Sequence, residues 1–322
     1  MIPSKTDLTI CFAHAAYHMQ ANFDALGTGI ASFELRSRQE LDRRVQEADV
    51  LVVSGMWHNE LIPAAQRLRF IQSIGAGTDQ FDYAALRARG IRLASAQGVN
   101  ARAVSEHAMA LILALARRLP EARDHQAKRV WRGMMGDLAR REDELGGKTL
   151  VIVGLGRIGG RLAQLAKAFD MNVIGLRRDP AKGRGNADVV HALSDLPALL
   201  PQADFVALTC PLTPETKGLI DAKALQLMKP SAAVVNVGRG LCVVESDLIA
   251  ALTEGRIAAA ALDCTAEEPL PAASPLWGMA NVLITPHTAG ETHRYEANVL
   301  EILMENLGRL WRGETALHNQ IV

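Results

Sequence analysis

Three short segments carry the side chains that could do chemistry. VVNVGRG (234–240) puts Arg239 in a glycine-flanked turn after an apolar run. ALDCTAEEPLP (261–271) puts Asp263 at the end of a second run, with Glu267 and Glu268 ahead of Pro269. LITPHTAG (283–290) carries His287 between Pro286 and a small-residue turn. An arginine, a carboxylate and a histidine on one edge would suit reduction of a carbonyl that lies next to a carboxylate. The guanidinium can fork onto the carboxylate and polarise the neighbouring carbonyl. Histidine can deliver a proton near neutral pH, and a carboxylate beside it orients the ring and favours its charged form. Taken singly, each has a plainer reading: a turn arginine, solvated acids, a capping histidine. Their shared placement after apolar runs raises the case, because open α/β sheets bind ligands beyond the carboxyl ends of their strands.

A second motif would supply a partner for that chemistry. Val151-Ile152-Val153 enters Gly154-Leu155-Gly156-Arg157-Ile158-Gly159, and RLAQLAKAFD continues as an amphipathic helix. In a strand–turn–helix context the first glycine makes the tight turn. The second lets backbone approach a pyrophosphate, and the third lets the helix sit close to the strand. The helix N-terminus then offers N–H groups and a positive dipole to phosphates. A bound dinucleotide is the expectation.

The following strand, NVIGL (172–176), ends on Arg177 and Arg178, where such folds usually carry an acid for the adenosine ribose. Counting alone offers Asp179, which lies at about the usual offset of ~20 residues past the glycines. The apolar run stops at Leu176, however, so Arg177 holds the tip and Asp179-Pro180 reads as the turn that follows. Arginine pairs well with a 2′-phosphate, and Lys182 and Arg184 add positive charge. The expected cofactor is therefore NADP in preference, with NAD as the alternative.

The elements that would position these residues alternate along the chain. DLTICF (7–12), DVLVV (49–53), FIQSI (70–74) and IRLAS (91–95) read as strands, with a helix at 39–48. A second group follows: TLVIVG (149–154), NVIGL, DFVAL (204–208), AAVVNV (232–237), IAAAAL (257–262) and NVLIT (281–285). Continuous Val, Ile and Ala runs suggest strands buried on both faces, hence parallel sheets covered by helices. The fold class is α/β with two doubly wound domains. A long helical region from Ala101 separates the groups, and a last helix, about 292–311, would return to the first. The expected domains are 1–100 with 291–322, discontinuous, and 101–290 for the cofactor, with a cleft between them.

Composition narrows the classes further. Thirty-five basic and 35 acidic residues cancel, which argues against nucleic acid or an anionic membrane as the partner. Hydrophobic residues make up 49% and charged residues 22%, as in globular proteins. The four cysteines share no C-x-x-C spacing, so buried free thiols are expected rather than a metal site. No basic segment followed by an apolar one opens the sequence, and AMALILALA (108–116) is too short to span a bilayer. A cytoplasmic protein is expected.

The motifs together resemble the D-isomer-specific 2-hydroxyacid dehydrogenase family. They include GAGTDQFD (75–82), NARAVSEHAMALILALAR (100–117), GKTLVIVGLGRIG (147–159), CPLTPETKGLI (210–220), NVGRG (236–240), ALDCTAEEPLP and TPHTAG. The resemblance runs from about Ala48 to the C-terminus and implies a flavodoxin-like substrate domain joined to a Rossmann domain, usually as a homodimer. It implies Arg239 as the substrate-binding arginine, Glu268 as the orienting carboxylate and His287 as the acid/base that protonates oxygen while hydride passes from the nicotinamide. Asp263 would contact the nicotinamide carboxamide. Pro211, Thr216, Val237 and Gly290 would lie against the cofactor with the glycine motif, Arg177, Arg178 and His287, while the backbone of Gly75-Ala76-Gly77 would bind the substrate carboxylate. Trp57, in SGMWHNE, falls where the family often places a side chain over the substrate; a partly buried loop aromatic is the alternative. The implied activity is reduction of a small 2-keto acid such as glyoxylate or hydroxypyruvate. Oxidation of an inorganic anion such as phosphite, or a non-catalytic dinucleotide-sensing role, are the other readings. The family's usual D-V-F is replaced by DCT here, and the first 47 residues match loosely.

Overall fold

The computed structural model describes residues 2–322, so that Met1, where the expected first domain begins, lies outside the described residues. The chain divides into two compact units, Met1–Asn100 with Thr292–Val322, and Ala101–Glu291. In the first unit the chain runs through β1 (Thr9–Ala13), α1 (Met19–Asp24), β2 (Ala31–Leu35), α2 (Arg38–Arg44), β3 (Val50–Val53), β4 (Phe70–Ser73), α3 (Tyr83–Ala88) and β5 (Arg92–Ala94). The five strands form one parallel sheet in the order β2-β1-β3-β4-β5. Successive residues explain the unbroken apolar runs. Leu51 and Val53 join one core cluster, Val50 and Val52 the cluster on the opposite face. Both faces are covered, so no polar alternation is needed.

The second unit opens with α4 (Ala101–Ala116) and α5 (Leu119–Ala127), separated at Arg118, whose φ of 48° breaks the helix. The chain then runs through β6 (Thr149–Val153), α6 (Arg157–Ala168), β7 (Asn172–Arg177), β8 (Val189–Ala192), α7 (Leu196–Leu199), β9 (Phe205–Leu208), α8 (Ala222–Leu227), β10 (Ala233–Asn236), α9 (Glu245–Thr253), β11 (Ala259–Leu262) and β12 (Val282–Ile284). All seven strands are parallel, in the order β12-β11-β10-β9-β6-β7-β8. Leu150 and Ile152 face one core, Val151 and Val153 the other.

Two strands escape the sequence reading, β2 and β8. Each sits at a sheet edge and is mostly half-buried, so neither shows an unbroken apolar run. The helix expected over 39–48 is shorter, ending at Arg44 and tightening into a 3₁₀ turn over Val45–Glu47.

The last helix, α10 (Tyr295–Trp311), belongs to the first unit. Val299, Leu300, Leu303 and Leu307, spaced for one face, pack with Leu8, Ile10 and Phe12. A buried polar contact pins it. The Asn306 amide donates to Gln72 Oε1 at 3.0 Å and to the His318 carbonyl at 3.2 Å, and Asn306 Oδ1 accepts from the His318 N–H at 2.7 Å. Asn306 and Gln72 are both fully buried. Replacing Asn306 with leucine strands two buried polar partners, so Asn306→Leu should destabilise the protein by about 2 kcal/mol or more. Chemical denaturation checks this; an unchanged midpoint would contradict the assignment.

Candidate active site

β10, β11 and β12 are parallel neighbours, with Asn236 opposite Leu262 and Leu262 opposite Ile284. Chain segments leaving them therefore emerge on one edge, roughly 5 Å apart per strand. That register brings the three sequence motifs together. His287 Nδ1 lies 2.7 Å from Glu268 Oε2, and Glu268 Oε1 accepts the Thr265 N–H at 3.0 Å. One carboxylate is thus fixed at both oxygens. Bonding at Nδ1 turns the Nε2 side of the ring away from the acid, the arrangement a proton donor needs.

His287 sits at φ 55°, a left-handed conformation that side chains rarely adopt. The residues around it hold it there. Asp263, 2% exposed, accepts the Thr285 hydroxyl at 2.6 Å and the backbone N–H groups of Thr288 at 3.1 Å and Ala289 at 3.2 Å. These donors lie on both sides of His287, so the buried carboxylate clamps the turn. His107 of α4 supports it, with Nε2 2.9 Å from Thr285 Oγ1 and 3.5 Å from Asp263 Oδ1. The sequence resemblance implies a cofactor contact for Asp263; its carboxylate here fixes the histidine turn.

Arg239 is exposed, and one guanidinium N–H donates to the Gly238 carbonyl at 2.7 Å. Its remaining donors have no partner among the described residues. The turn beneath it is set by Asn236, which is 1% exposed. The Asn236 amide donates to the Arg239 carbonyl at 3.0 Å and its Oδ1 accepts the Gly238 N–H at 3.1 Å. A Cβ on Gly240 would lie 1.8 Å from the Thr265 carbonyl oxygen, which locks this turn against the segment carrying Glu268. Asn236, His107 and Thr285 are structural supports of the candidate site that the sequence did not single out. The one signal available was a polar residue ending an otherwise apolar strand in NVGRG.

Beside this edge lies a cavity of about 1110 Å³, lined by Gly154–Gly156, Arg177–Asp179, Lys182, Thr209–Pro211 and Thr216. Its glycines fit the motif. Gly154 has φ 102°, and a Cβ there would stand 2.7 Å from the Cys210 nitrogen. A Cβ on Gly159 would meet the Gly154 carbonyl at 2.3 Å and Thr209 Oγ1 at 2.8 Å, whereas Gly156, which caps α6, faces open space. A glycine turn opening to a cavity under a helix start suits a pyrophosphate. Arg157 is exposed at the first position of α6, Ile158 is partly buried against the core, Val237 is buried and Gly290 half-buried. Thr216 Oγ1 donates to the Pro211 carbonyl at 2.7 Å and accepts the Thr213 N–H at 2.7 Å, closing that loop.

At the tip of β7 the strand runs one residue past Leu176, through Arg177. Arg177 does not reach outward freely: it donates to the carbonyls of Lys182 at 3.3 Å and Gly183 at 2.8 Å. Asp179 is also committed, accepting the Ala181 N–H at 3.1 Å. Arg178 is exposed on the cavity with no hydrogen-bond or ion-pair partner among the described residues.

In the first unit, Gly75, Ala76 and Gly77 follow β4, and their N–H groups have no acceptor among the described residues. Trp57 has the surroundings of the second of its two readings, a buried loop aromatic. The residue is 3% exposed; its ring packs on Phe81 at 5.3 Å between centroids and donates to Asn59 Oδ1 at 3.0 Å. It belongs to the core of the unit, because Phe81 and the β3 side chains leave it an apolar slot. All four cysteines are buried and free. Among the described residues no group of three or more potential ligands could hold a metal, and no helix is long and apolar enough to cross a membrane.

Comparison with known proteins agrees with this geometry. The NAD-binding domain model of the D-isomer-specific 2-hydroxyacid dehydrogenases matches residues 109–289. The chain is 34% identical over 283 residues to a glyoxylate reductase of Korarchaeum cryptofilum, covering 86% of this chain and 84% of that protein. It is 37% identical over 283 residues to a D-3-phosphoglycerate dehydrogenase of Methanocaldococcus jannaschii, covering 87% of this chain and 53% of the other. The chain thus spans about half the length of that relative. A crystal structure of a family protein from Aeromonas salmonicida superposes with a TM-score of 0.84 at 31% identity, covering 98% of this chain and 99% of that one. Parallel sheets, glycine cradle, histidine–carboxylate pair and these likenesses together place the chain in the D-isomer-specific 2-hydroxyacid dehydrogenase family.

Proposed function

We propose that this protein reduces a small 2-keto acid, such as glyoxylate or hydroxypyruvate, to the 2-hydroxy acid with a reduced nicotinamide dinucleotide. The 2.7 Å contact between His287 and Glu268, on the same sheet edge as Arg239, carries this reading. The dinucleotide would be held by the Gly154–Gly159 turn, the first turn of α6 and the Pro211–Thr216 loop, and it supplies hydride when bound. Arg239 takes the substrate carboxylate through its unpaired donors and polarises the adjacent carbonyl. His287 gives the proton to the oxygen as charge develops there, and Glu268 stabilises the resulting charge distribution across the ring. Asp263 holds the turn so that none of this requires reorganisation. The backbone N–H groups of Gly75, Ala76 and Gly77, which have no acceptor among the described residues, are proposed as further carboxylate partners.

NADP is the preferred cofactor in this reading, and Arg178 is its main determinant. Arg177 spends its donors on the turn over 182–183, which supports Arg178 and Lys182 instead as partners of a 2′-phosphate. A homodimer is supported by the stretch after α5, where Trp131 is 98% exposed and Met134 fully exposed, apolar surface that a second copy would cover. The four buried, unpaired thiols fit a reducing compartment such as the cytoplasm.

Arg239→Ala should lower kcat/KM for glyoxylate by about 100-fold or more while the dissociation constant for NADPH changes little. Steady-state kinetics with cofactor titration check this, and near-parental activity would refute the assignment. Arg178→Ala should lower the NADPH:NADH ratio of kcat/KM by about tenfold; an unmoved ratio places discrimination elsewhere. Gly159→Ala should abolish dinucleotide binding, whereas Gly160→Ala, with nothing within 4 Å of its Cβ, should bind normally and gain up to about 1 kcal/mol of helix stability. Equal binding by the two variants would contradict the cradle.

A further inference from the structure

Within the second unit one polar chain joins α4 to the turn that carries His287. His107 lies midway along α4, three residues after Val104 and four before Leu111, and so on the same helical face as both. Val104, Ala108 and Leu111 are buried in a core cluster that also holds Ala261, Leu283 and Ala289. Those three come from β11, from β12 and from the turn after His287. The apolar face of α4 thus carries the His107 ring to the carboxyl ends of the two strands.

The hydrogen bonds of this chain run in one direction. The Asp263 carboxylate can only accept, and it takes the Thr285 hydroxyl proton at 2.6 Å. A hydroxyl has one proton, so Thr285 Oγ1 can only accept from His107 Nε2, 2.9 Å away. Nε2 therefore carries a proton, and only a donor at that position completes the chain. Among the described residues no other group donates to Thr285 Oγ1.

Asp263 is the far end of the chain. Its Oδ1 accepts the Thr288 and Ala289 N–H groups at 3.1 and 3.2 Å, and its Oδ2 accepts Ala289 at 3.2 Å. The acid thus holds the backbone after His287 while Thr285, two residues before it, holds the acid. His287 stands at φ 55°, a conformation that persists only where its surroundings over-determine it. The donor on α4 is the one member of this set from outside the strand-end segments.

Resting on the 2-keto-acid reading above, we propose that His107 is a positioning residue for His287: its Nε2–H, acting through Thr285 and Asp263, holds the histidine turn in the geometry that delivers a proton. The effect is one of orientation, so its loss falls on kcat rather than on affinity for the dinucleotide. An Asp263 engaged mainly with the cofactor would give the opposite split.

The test uses two amides of different reach. Glutamine can place an N–H where Nε2 stands, whereas asparagine reaches only as far as Nδ1. His107→Asn should lower kcat for glyoxylate about tenfold while the dissociation constant for NADPH stays within about twofold. His107→Gln should keep at least about half of the parental kcat, a rescue that a mere packing role would not give. Thr285→Val should lose about as much as His107→Asn, and combining the two should cost nothing further, since both break one chain. Should His107→Asn fail to fold, His107→Phe, which fills the ring's volume without a donor, carries the same expectation. Equal kcat in the asparagine and glutamine variants, a loss expressed equally in NADPH affinity, or losses that multiply in the double variant would overturn the role of His107. In each of those cases a parent that reduces glyoxylate leaves the reaction standing. A parent that reduces no 2-keto acid with NADPH or NADH overturns the underlying reading and this inference with it.

Discussion

The buried carboxylate of Asp263 is the interaction on which the candidate active-site edge depends. With 2% exposure it cannot be satisfied by bulk water, so it draws in the Thr285 hydroxyl and the N–H groups of Thr288 and Ala289. That demand forces the chain around His287 through a left-handed turn and holds it there. Glu268 then meets a ring whose position is already fixed, and its second oxygen is occupied by Thr265. The histidine–carboxylate pair is thus anchored from below by one acid and oriented from the side by another.

Parallel β-structure explains why so few residues suffice. Every strand in both sheets runs in the same direction, so each sheet has one edge where all carboxyl ends emerge. In the second unit that edge gathers Arg239, Glu268 and His287 next to the cavity over the glycine turn. In the first it gathers His14, Ser54 and the Gly75–Gly77 backbone. Glycine appears where backbone must pass backbone: a Cβ at Gly240 or Gly159 would stand 1.8 or 2.3 Å from a carbonyl oxygen, far inside van der Waals contact.

Much of this was legible in the sequence, for identifiable reasons. Strands buried on both faces leave continuous apolar runs, and nearly all of them fall within a residue or two of their expected limits. The edge strands β2 and β8 were not legible, because half-burial dilutes the apolar signal. The candidate trio of Arg239, Glu268 and His287 was visible in the segments that follow strands, but its supports were not. Asn236 and His107 act through contacts with residues distant in sequence or with their own turn, which no spacing encodes. Trp57 stayed open between two readings, because a tryptophan after a strand reads the same whether it faces a ligand or fills a core slot beside Phe81.

The central claim, that this edge reduces a 2-keto acid, is tested most directly by product stoichiometry. Purified protein would be mixed with NADPH and an excess of glyoxylate, and both NADPH loss and glycolate formation would be followed. One glycolate per NADPH oxidised is the result the account predicts. Loss of NADPH without glycolate, or no turnover of glyoxylate or hydroxypyruvate with NADPH or NADH, would contradict it.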